Sequence, residues 1–537
     1  MNKKILALLL IAMTVILGAC GPTVNKNGDI EVTDVTFPIT DKQIELVYWQ
    51  PMNSRMPAVL KNIGEMACFQ ELQKRTGITL KFESPALGQD AEQFNLLVAS
   101  KNLPDVIYYK WIGQSQTPGK FIEDNIIIPL TPFMGKTVVD LPRVLEGHDR
   151  TKKEITTDKG EYYMFPLLRL DDTERMTRGF YIRHDWLAAL NLPVPDDAES
   201  LYNVLVAFRD GDPNKNGQKD EIPLISKKGE ALDALMAMFA VNKDFLLVDG
   251  KVTYGPTTEN FKEALTYFNK LFTEKLLDVD YPLTDDKAID AKIASEKAGM
   301  SYGLSSTVLK HMQTMPSKNS AFDLGLMSQP KAADGIRHTN YRILINPNNG
   351  YGAAITRDNK YPVETSKMLD YGYTDEGQVL FNFGIEGESY NKLPNGEYQL
   401  TEKIRNPTSN LLPAEELLRY AFGTYDTASV TRKAYSDPAE LTEIQKKITN
   451  KIWIHEIDPG YLLPTMSYTS EENKLMLAKK GDVTTYRDEM IDRFISGTVP
   501  LSEFDNFVAK LKEMGIDELI KVEADAYDRF NGKAITE

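Results

Sequence analysis

Ile44-Glu45-Leu46-Val47-Tyr48-Trp49 opens a series that continues through Val59 to Arg75, Thr79 to Glu83, Asp90 to Ala99 and Leu103-Pro104-Asp105-Val106-Ile107-Tyr108-Tyr109. The first stretch alternates like a strand. Val59 to Arg75 has helical period and stops at Gly77, a C′ glycine. Thr79 to Glu83 is a second strand, Asp90 to Ala99 a helix, and the Leu-Pro-Asp-Val segment enters a third strand. Strands alternating with helices are the pattern of an α/β protein with largely parallel sheets. Trp49 and Trp111 each follow one of these strands, and parallel sheets gather ligands at their carboxyl ends.

Upstream of that series the chain carries an address. Met1-Asn2-Lys3-Lys4 is a basic n-region and Ile5 to Leu17 an apolar h-region. The apolar run is too short for a span, which takes about 20 residues. Leu17-Gly18-Ala19-Cys20 follows and resembles a bacterial lipobox, so residues 1–19 are expected to be a lipoprotein signal peptide and Cys20 the lipid-bearing first mature residue. Gly21 to Thr36 is polar, with Gly, Pro, Asn and Asp. Residues 20–43 therefore read as a flexible tether.

The formal net charge is −15, and two units more negative once Lys3 and Lys4 leave with the leader. That balance argues against nucleic acid and against anionic headgroups, leaving the lipid as the membrane contact. Apolar residues make up 42% of the chain, enough for large cores. Cys68 is the other cysteine and has no partner for an intrachain disulfide; beside Ile63, Met66, Ala67 and Leu72 it reads as a small hydrophobe. Near the C-terminus Phe504, Phe507, Val508, Leu511 and Met514 form one apolar helical stripe that ends at Gly515.

Further segments follow in order: Gly160-Glu161-Tyr162-Tyr163-Met164-Phe165-Pro166, Tyr181-Ile182-Arg183-His184-Asp185-Trp186-Leu187 and Asn191-Leu192-Pro193-Val194-Pro195. Leu265 to Phe272, Lys297-Ala298-Gly299-Met300 and Leu369-Asp370-Tyr371-Gly372-Tyr373-Thr374-Asp375-Glu376-Gly377-Gln378 come after them. With the opening strands, this series resembles the family 1 (carbohydrate) extracellular solute-binding proteins of ABC importers, over nearly the whole mature chain. Its length and an acidic loop are similar to those of the large oligosaccharide-binding lipoproteins, the alginate-binding ones among them.

The resemblance implies a two-lobed α/β fold of the periplasmic-binding-protein type, with the ligand in the cleft between lobes and hinge closure on binding. It places lobe 1 at residues 44–168, lobe 2 at 169–325, a return to lobe 1 at 326–385, and lobe 2 with C-terminal helices at 386–537. It implies an oligosaccharide ligand, membrane permease subunits of an ABC transporter as partners, a monomer, and no catalysis.

The acidic loop is Asp212-Pro213-Asn214-Lys215-Asn216-Gly217-Gln218-Lys219-Asp220-Glu221. Oxygen side chains at positions 1, 3 and 5 and glycine at 6 match the first half of an EF-hand calcium loop, with Gln218 offering its carbonyl at 7. Position 12 is Pro223 rather than a bidentate Glu. The family variant brings its acidic ligands early, which maps onto Asp220 and Glu221. A structural Ca2+ held by Asp212, Asn214, Asn216, Gln218, Asp220 and Glu221 is one reading, and a hydrophilic Asn/Gly turn is the other.

Sugars offer flat apolar faces and many hydroxyls, so Trp49, Asn53, Trp111 and Tyr302 are the candidate ligand contacts. For each aromatic a place in the core is the competing reading; Trp186 and Trp453 lie in amphipathic stretches and read as core. Arg175, Arg178 and Arg183 are either readers of a uronic acid or solvated surface charge. Two other functions compete. An oligopeptide-binding lipoprotein would have similar length. A hydrolase would use Gly299-Met300-Ser301-Tyr302-Gly303, a G-x-S-x-G match with His311, His338 and His455 downstream. The elbow needs a strand running straight into the serine, whereas Ala288 to Glu296 reads as helix.

Overall fold

The computed structural model describes residues 36–170, 175–342, 348, 350–409, 411–423, 426–431 and 451–533. Cys20 and its lipobox lie outside the described residues.

The opening series builds the first sheet, in the order Ile78–Glu83, Ile44–Trp49, Val106–Lys110, Tyr351–Ile355, Phe165–Pro166. Ile78, Leu80 and Phe82 point inward while Thr79, Lys81 and Glu83 face water, as an edge strand with one buried side requires. The helix expected over Val59 to Arg75 is shorter, Ala67–Thr76, preceded by a 3-10 turn at Ile63–Glu65. The Asn62 side chain accepts from the Gly64 amide and fixes that turn. Gly77 ends the helix at φ 75°, where a Cβ would come 2.7 Å from the Thr40 carbonyl oxygen.

The Leu-Pro-Asp-Val segment ties strands together. The Asp105 carboxylate accepts the Val47 amide at 2.8 Å, and the Thr356 amide donates to the Asp105 carbonyl at 3.1 Å.

The second sheet runs Leu324–Met327, Arg178–Arg183, Ala298–Leu304, Ile222–Leu224. Its alternation builds three layers. Phe180 and Ile182 face a core with Leu201, Val204, Phe261 and Phe268 and the C-terminal helices, whereas Tyr181 faces Ile289, Ile293, Val308 and Met312. The expected C-terminal stripe is there: Phe504, Phe507 and Leu511 are buried on helix Phe504–Glu513, and Gly515 follows at φ 91°.

One expectation is corrected. The sheets are mixed rather than largely parallel: Tyr351–Ile355 runs antiparallel to both its neighbours, and Arg178–Arg183 is antiparallel to both of its own. Both strands arrive from the other lobe, so no βαβ crossover fixes their direction. Leu418, Phe422, Ala428 and Val430 pack in the first core, and Val430 bridges to Leu168; the second lobe resumes at Trp453 and Tyr461.

Candidate functional site

Three cavities lie along the gap between the sheets. The largest, about 610 Å3, has Arg178, Tyr302 and Thr307 on the second lobe facing Arg55, Leu400 and Pro413 on the first. A second, about 420 Å3, continues from Arg178, Glu230 and Tyr302 to Gln329, Asn340 and Trp453. The third, about 180 Å3, opens at the carboxyl ends of the first-lobe strands. The loop after Ile44–Trp49 joins them, with Asn53 in the third cavity and Arg55 in the first. The Asn53 side chain makes both bonds: its Oδ1 accepts the Arg55 backbone amide at 3.0 Å, and its Nδ2 donates to the Asp426 carboxylate at 3.3 Å.

Tyr302 lies on a cavity wall, half-buried and edge-on to Phe180 at 5.1 Å. Its phenol is pushed up by burial and stays neutral. Gly179, two strand positions from Tyr181, makes room for the Trp453 indole: a Cβ there would meet the ring at 2.3 Å, and the indole N–H donates to the Phe180 carbonyl at 2.7 Å. Cations on the second-lobe wall are paired. Arg178 meets Glu230 at 2.9 Å, Lys227 meets Asp286 at 2.9 Å and Lys310 meets Asp290 at 2.6 Å.

Trp49 and Trp111 are not on these walls. Trp49 is 5% exposed and packs on Phe94 and Tyr109, and Trp111 is fully buried with its N–H given to the Gly352 carbonyl at 3.0 Å. Trp49 ends its strand and Trp111 follows its own, and both side chains turn under the sheet, so they are core. Of the three arginines, Arg178 reaches the cleft; Arg183 lies between Trp186 and Phe322, paired with Asp185. Arg55, Glu230, Gln329, Asn340 and Asp426 were missed, because isolated polar residues on loops carry no periodic signal.

Ser301 sits in the middle of Ala298–Leu304, opposite Tyr181 in the ladder, and is fully buried. A nucleophile elbow needs the serine at a sharp strand-to-helix turn. His311 instead holds Asp290 at 2.8 Å.

The 212–221 loop closes on its own Asp and Asn side chains. Asp212 accepts the Asn216 and Gly217 amides at 3.0 and 3.1 Å, Asn214 also accepts Asn216, and Asn216 accepts Gln218 at 2.7 Å. Gly217 turns at φ 73°. Both Glu221 carboxylate oxygens are buried with no hydrogen-bond partner, and burial, then Asp220 and Asp212, push its carboxyl up. Asp220 is held down by Asn216 and by Lys297, whose ammonium is 2.9 Å away. Among the described residues no three His, Cys, Asp or Glu side chains converge on one point; half of this loop's oxygens are Asn and backbone.

A cleft walled by two α/β lobes, with a half-buried aromatic and paired ions on its faces, defines a binding protein that encloses a solute between its lobes. The chain belongs to the bacterial extracellular solute-binding protein family, whose model matches residues 58–379. It is similar to the fructooligosaccharide ABC transporter substrate-binding protein FusA of Streptococcus pneumoniae, 26% identical over 98% of this chain and 97% of that one. It is also similar to lipoprotein LipO of Bacillus subtilis, 25% identical over 84% of this chain and 86% of LipO. The fold matches the crystal structure of the alginate-binding protein AlgQ2 without calcium ion, with a TM-score of 0.72 and 22% identity, covering 92% of this chain and all of that one.

Proposed function

We propose that this protein captures an oligosaccharide in the interlobe cleft and hands it to the membrane subunits of an ABC importer, without acting on it chemically. The observation that carries the reading is the 610 Å3 cavity walled by both lobes, where Tyr302 offers an aromatic face among hydrogen-bonding ions. FusA, similar over nearly the whole chain, is named for fructooligosaccharides, and its structure has been determined with kestose. Cys20 carries the lipid that keeps the protein at the outer face of the membrane. The lipobox supports this, as does likeness to a lipoprotein; no helix among the described residues is long and apolar enough to cross a bilayer. The 212–221 loop holds a structural Ca2+ through Asp212, Asn214, Asn216, Asp220, Glu221 and the Gln218 carbonyl. The partnerless Glu221 carboxylate supports that, and FusA has been studied as an EF-hand mutant. The lobe boundaries proposed are the crossings at 166–178, 327–351 and 430–453, in a monomer.

The test is calorimetry of the soluble part against neutral and acidic oligosaccharides, with oligopeptides as controls. One-to-one binding of a saccharide is expected, with the saccharide recovered unchanged. Binding of peptides alone would give the site to the oligopeptide alternative, and loss of substrate would make the protein an enzyme. In cells, the Cys20→Ser protein should leave the membrane fraction; full retention there would refute the anchor.

A further inference from the structure

The 180 Å3 cavity at the first-lobe strand ends has room for one ring of a longer ligand, and its polar lining is of one kind. Asn53, Asp90, Tyr108, Tyr109, Tyr351 and Asp426 bring two carboxylates, an amide and three phenols, and among the described residues no lysine or arginine lines it. Ionised carboxylates only accept hydrogen bonds. Asp426 accepts from the Asn53 amide at 3.3 Å, and Asp90 from the Tyr109 hydroxyl at 3.4 Å. Tyr108 is 2% exposed and its hydroxyl has no hydrogen-bond partner, at a depth where such groups nearly always find one. Arg169 is the cation whose field reaches both Asp426 and Tyr108, and it is not among the lining residues. Burial raises the Asp426 carboxyl, and the Asn53 amide and Arg169 act against that to favour its charged form. On the opposite lobe, Arg178, Lys227 and Lys310 are held by Glu230, Asp286 and Asp290. On the first-lobe rim Arg405 is held by Glu402 at 3.1 Å.

A sugar hydroxyl supplies what this pocket needs, a donor to a carboxylate and an acceptor for the Tyr108 hydroxyl on one atom. A uronate carboxylate supplies no donor and brings a like charge into a confined space of lowered dielectric. We propose that Asp90 and Asp426 act as a charge filter, so that the oligosaccharide this protein takes is neutral and uronic-acid chains are rejected. The proposal rests on the oligosaccharide reading above and names the class within it.

The experiment compares sugars that differ only at C6. Galactotriose and trigalacturonate, and mannotriose and trimannuronate, are titrated into the soluble protein by calorimetry at low and physiological salt, with kestose as a further neutral probe. A neutral trisaccharide should bind, with its acidic counterpart roughly tenfold or more weaker, most clearly at low salt. Asp426→Asn should narrow that gap, and Asp90→Asn, at the outer wall, gives the same reading should the first variant fail to fold. An acidic trisaccharide binding as tightly as its neutral twin would overturn the filter and leave the oligosaccharide reading standing. A neutral preference that survives both variants would overturn the assignment to these two residues. Binding of no saccharide of either charge would take down the oligosaccharide reading and the filter with it.

Discussion

Trp111 follows its strand directly, yet its indole turns inward and donates to the Gly352 carbonyl, while Tyr302 remains half-buried on a cavity wall. A strand places successive side chains on opposite faces, so one position decides between core and ligand. The consequences for mutation differ in kind. Trp111→Ala should cost about 3–5 kcal/mol of stability by opening a cavity. Tyr302→Ala should fold normally and lose about 1–3 kcal/mol of saccharide affinity, as a buried aromatic anchor does. Thermal melting and calorimetry on both variants check this; equal affinity loss in a well-folded Trp111→Ala protein would reverse the assignment. The segments that carry the family resemblance behave like Trp111. Gly372 has no space for a Cβ, which would lie 2.1 Å from the Ala428 carbonyl oxygen, and Arg183 is sealed between two rings. They specify the scaffold, and the scaffold positions a site made of other residues.

At the scale of an element, the 212–221 loop is the part whose sequence and geometry agree best. The Asp and Asn spacing gives an Asx-rich turn in which each side chain caps an amide ahead of it, and Gly217 takes the positive φ that this requires. What the spacing did not show is that Lys297 reaches Asp220, so one carboxylate is already partly neutralised while Glu221 is not. Chelation should therefore lower the melting temperature. A site filled at a hundred times its dissociation constant adds about 2.7 kcal/mol, several degrees for lobes of this size. Calcium should restore it and magnesium only poorly, since Mg2+ demands a tight octahedron. Glu221→Gln should shrink the chelation effect, whereas its melting in chelator should be at or above that of the parent, because the buried carboxylate is gone. Scanning calorimetry with and without chelator reads both, and a parent curve that ignores chelator would mark the loop as a polar turn.

On the scale of the whole molecule, the lobes also meet along a seam away from the cleft. Lys153 donates to the Phe530 carbonyl at 2.8 Å, Ser467 to the Thr156 carbonyl at 2.5 Å, and Asn473 to the Ser115 carbonyl at 3.3 Å. Glu154 is buried at this seam, 3.2 Å from Arg150, near Arg175 and the Thr465 backbone. Burial outweighs those partners and raises its carboxyl to about 7. The folded state thus holds a proton that the unfolded chain releases near the ordinary value of 4.5. The stability it contributes is fully present below that value and is lost as pH rises toward 7, by at most about 3 kcal/mol. Glu154→Gln should be neutral near pH 4.5 and stabilising relative to the parent by pH 8. Melting temperatures of the two proteins across that range test it, and a constant difference would show that Glu154 does not titrate in this window.

The sequence by itself determined the α/β alternation, the amphipathic faces, the lipobox and the calcium-loop spacing. Each is a local pattern, set by a repeat of two or 3.6 residues or by a run of consecutive side chains. It did not determine strand direction in the mixed sheets, nor that Leu418, Phe422, Ala428 and Val430 pack in the first core, because both depend on where a chain returning from the other lobe finds an open edge or core. The cleft likewise belongs to the tertiary structure. Asn53, Arg178, Tyr302 and Asp426 come from four distant parts of the chain. Only the tertiary arrangement of the two sheets brings such residues to the cavity walls, and no spacing along the sequence records it.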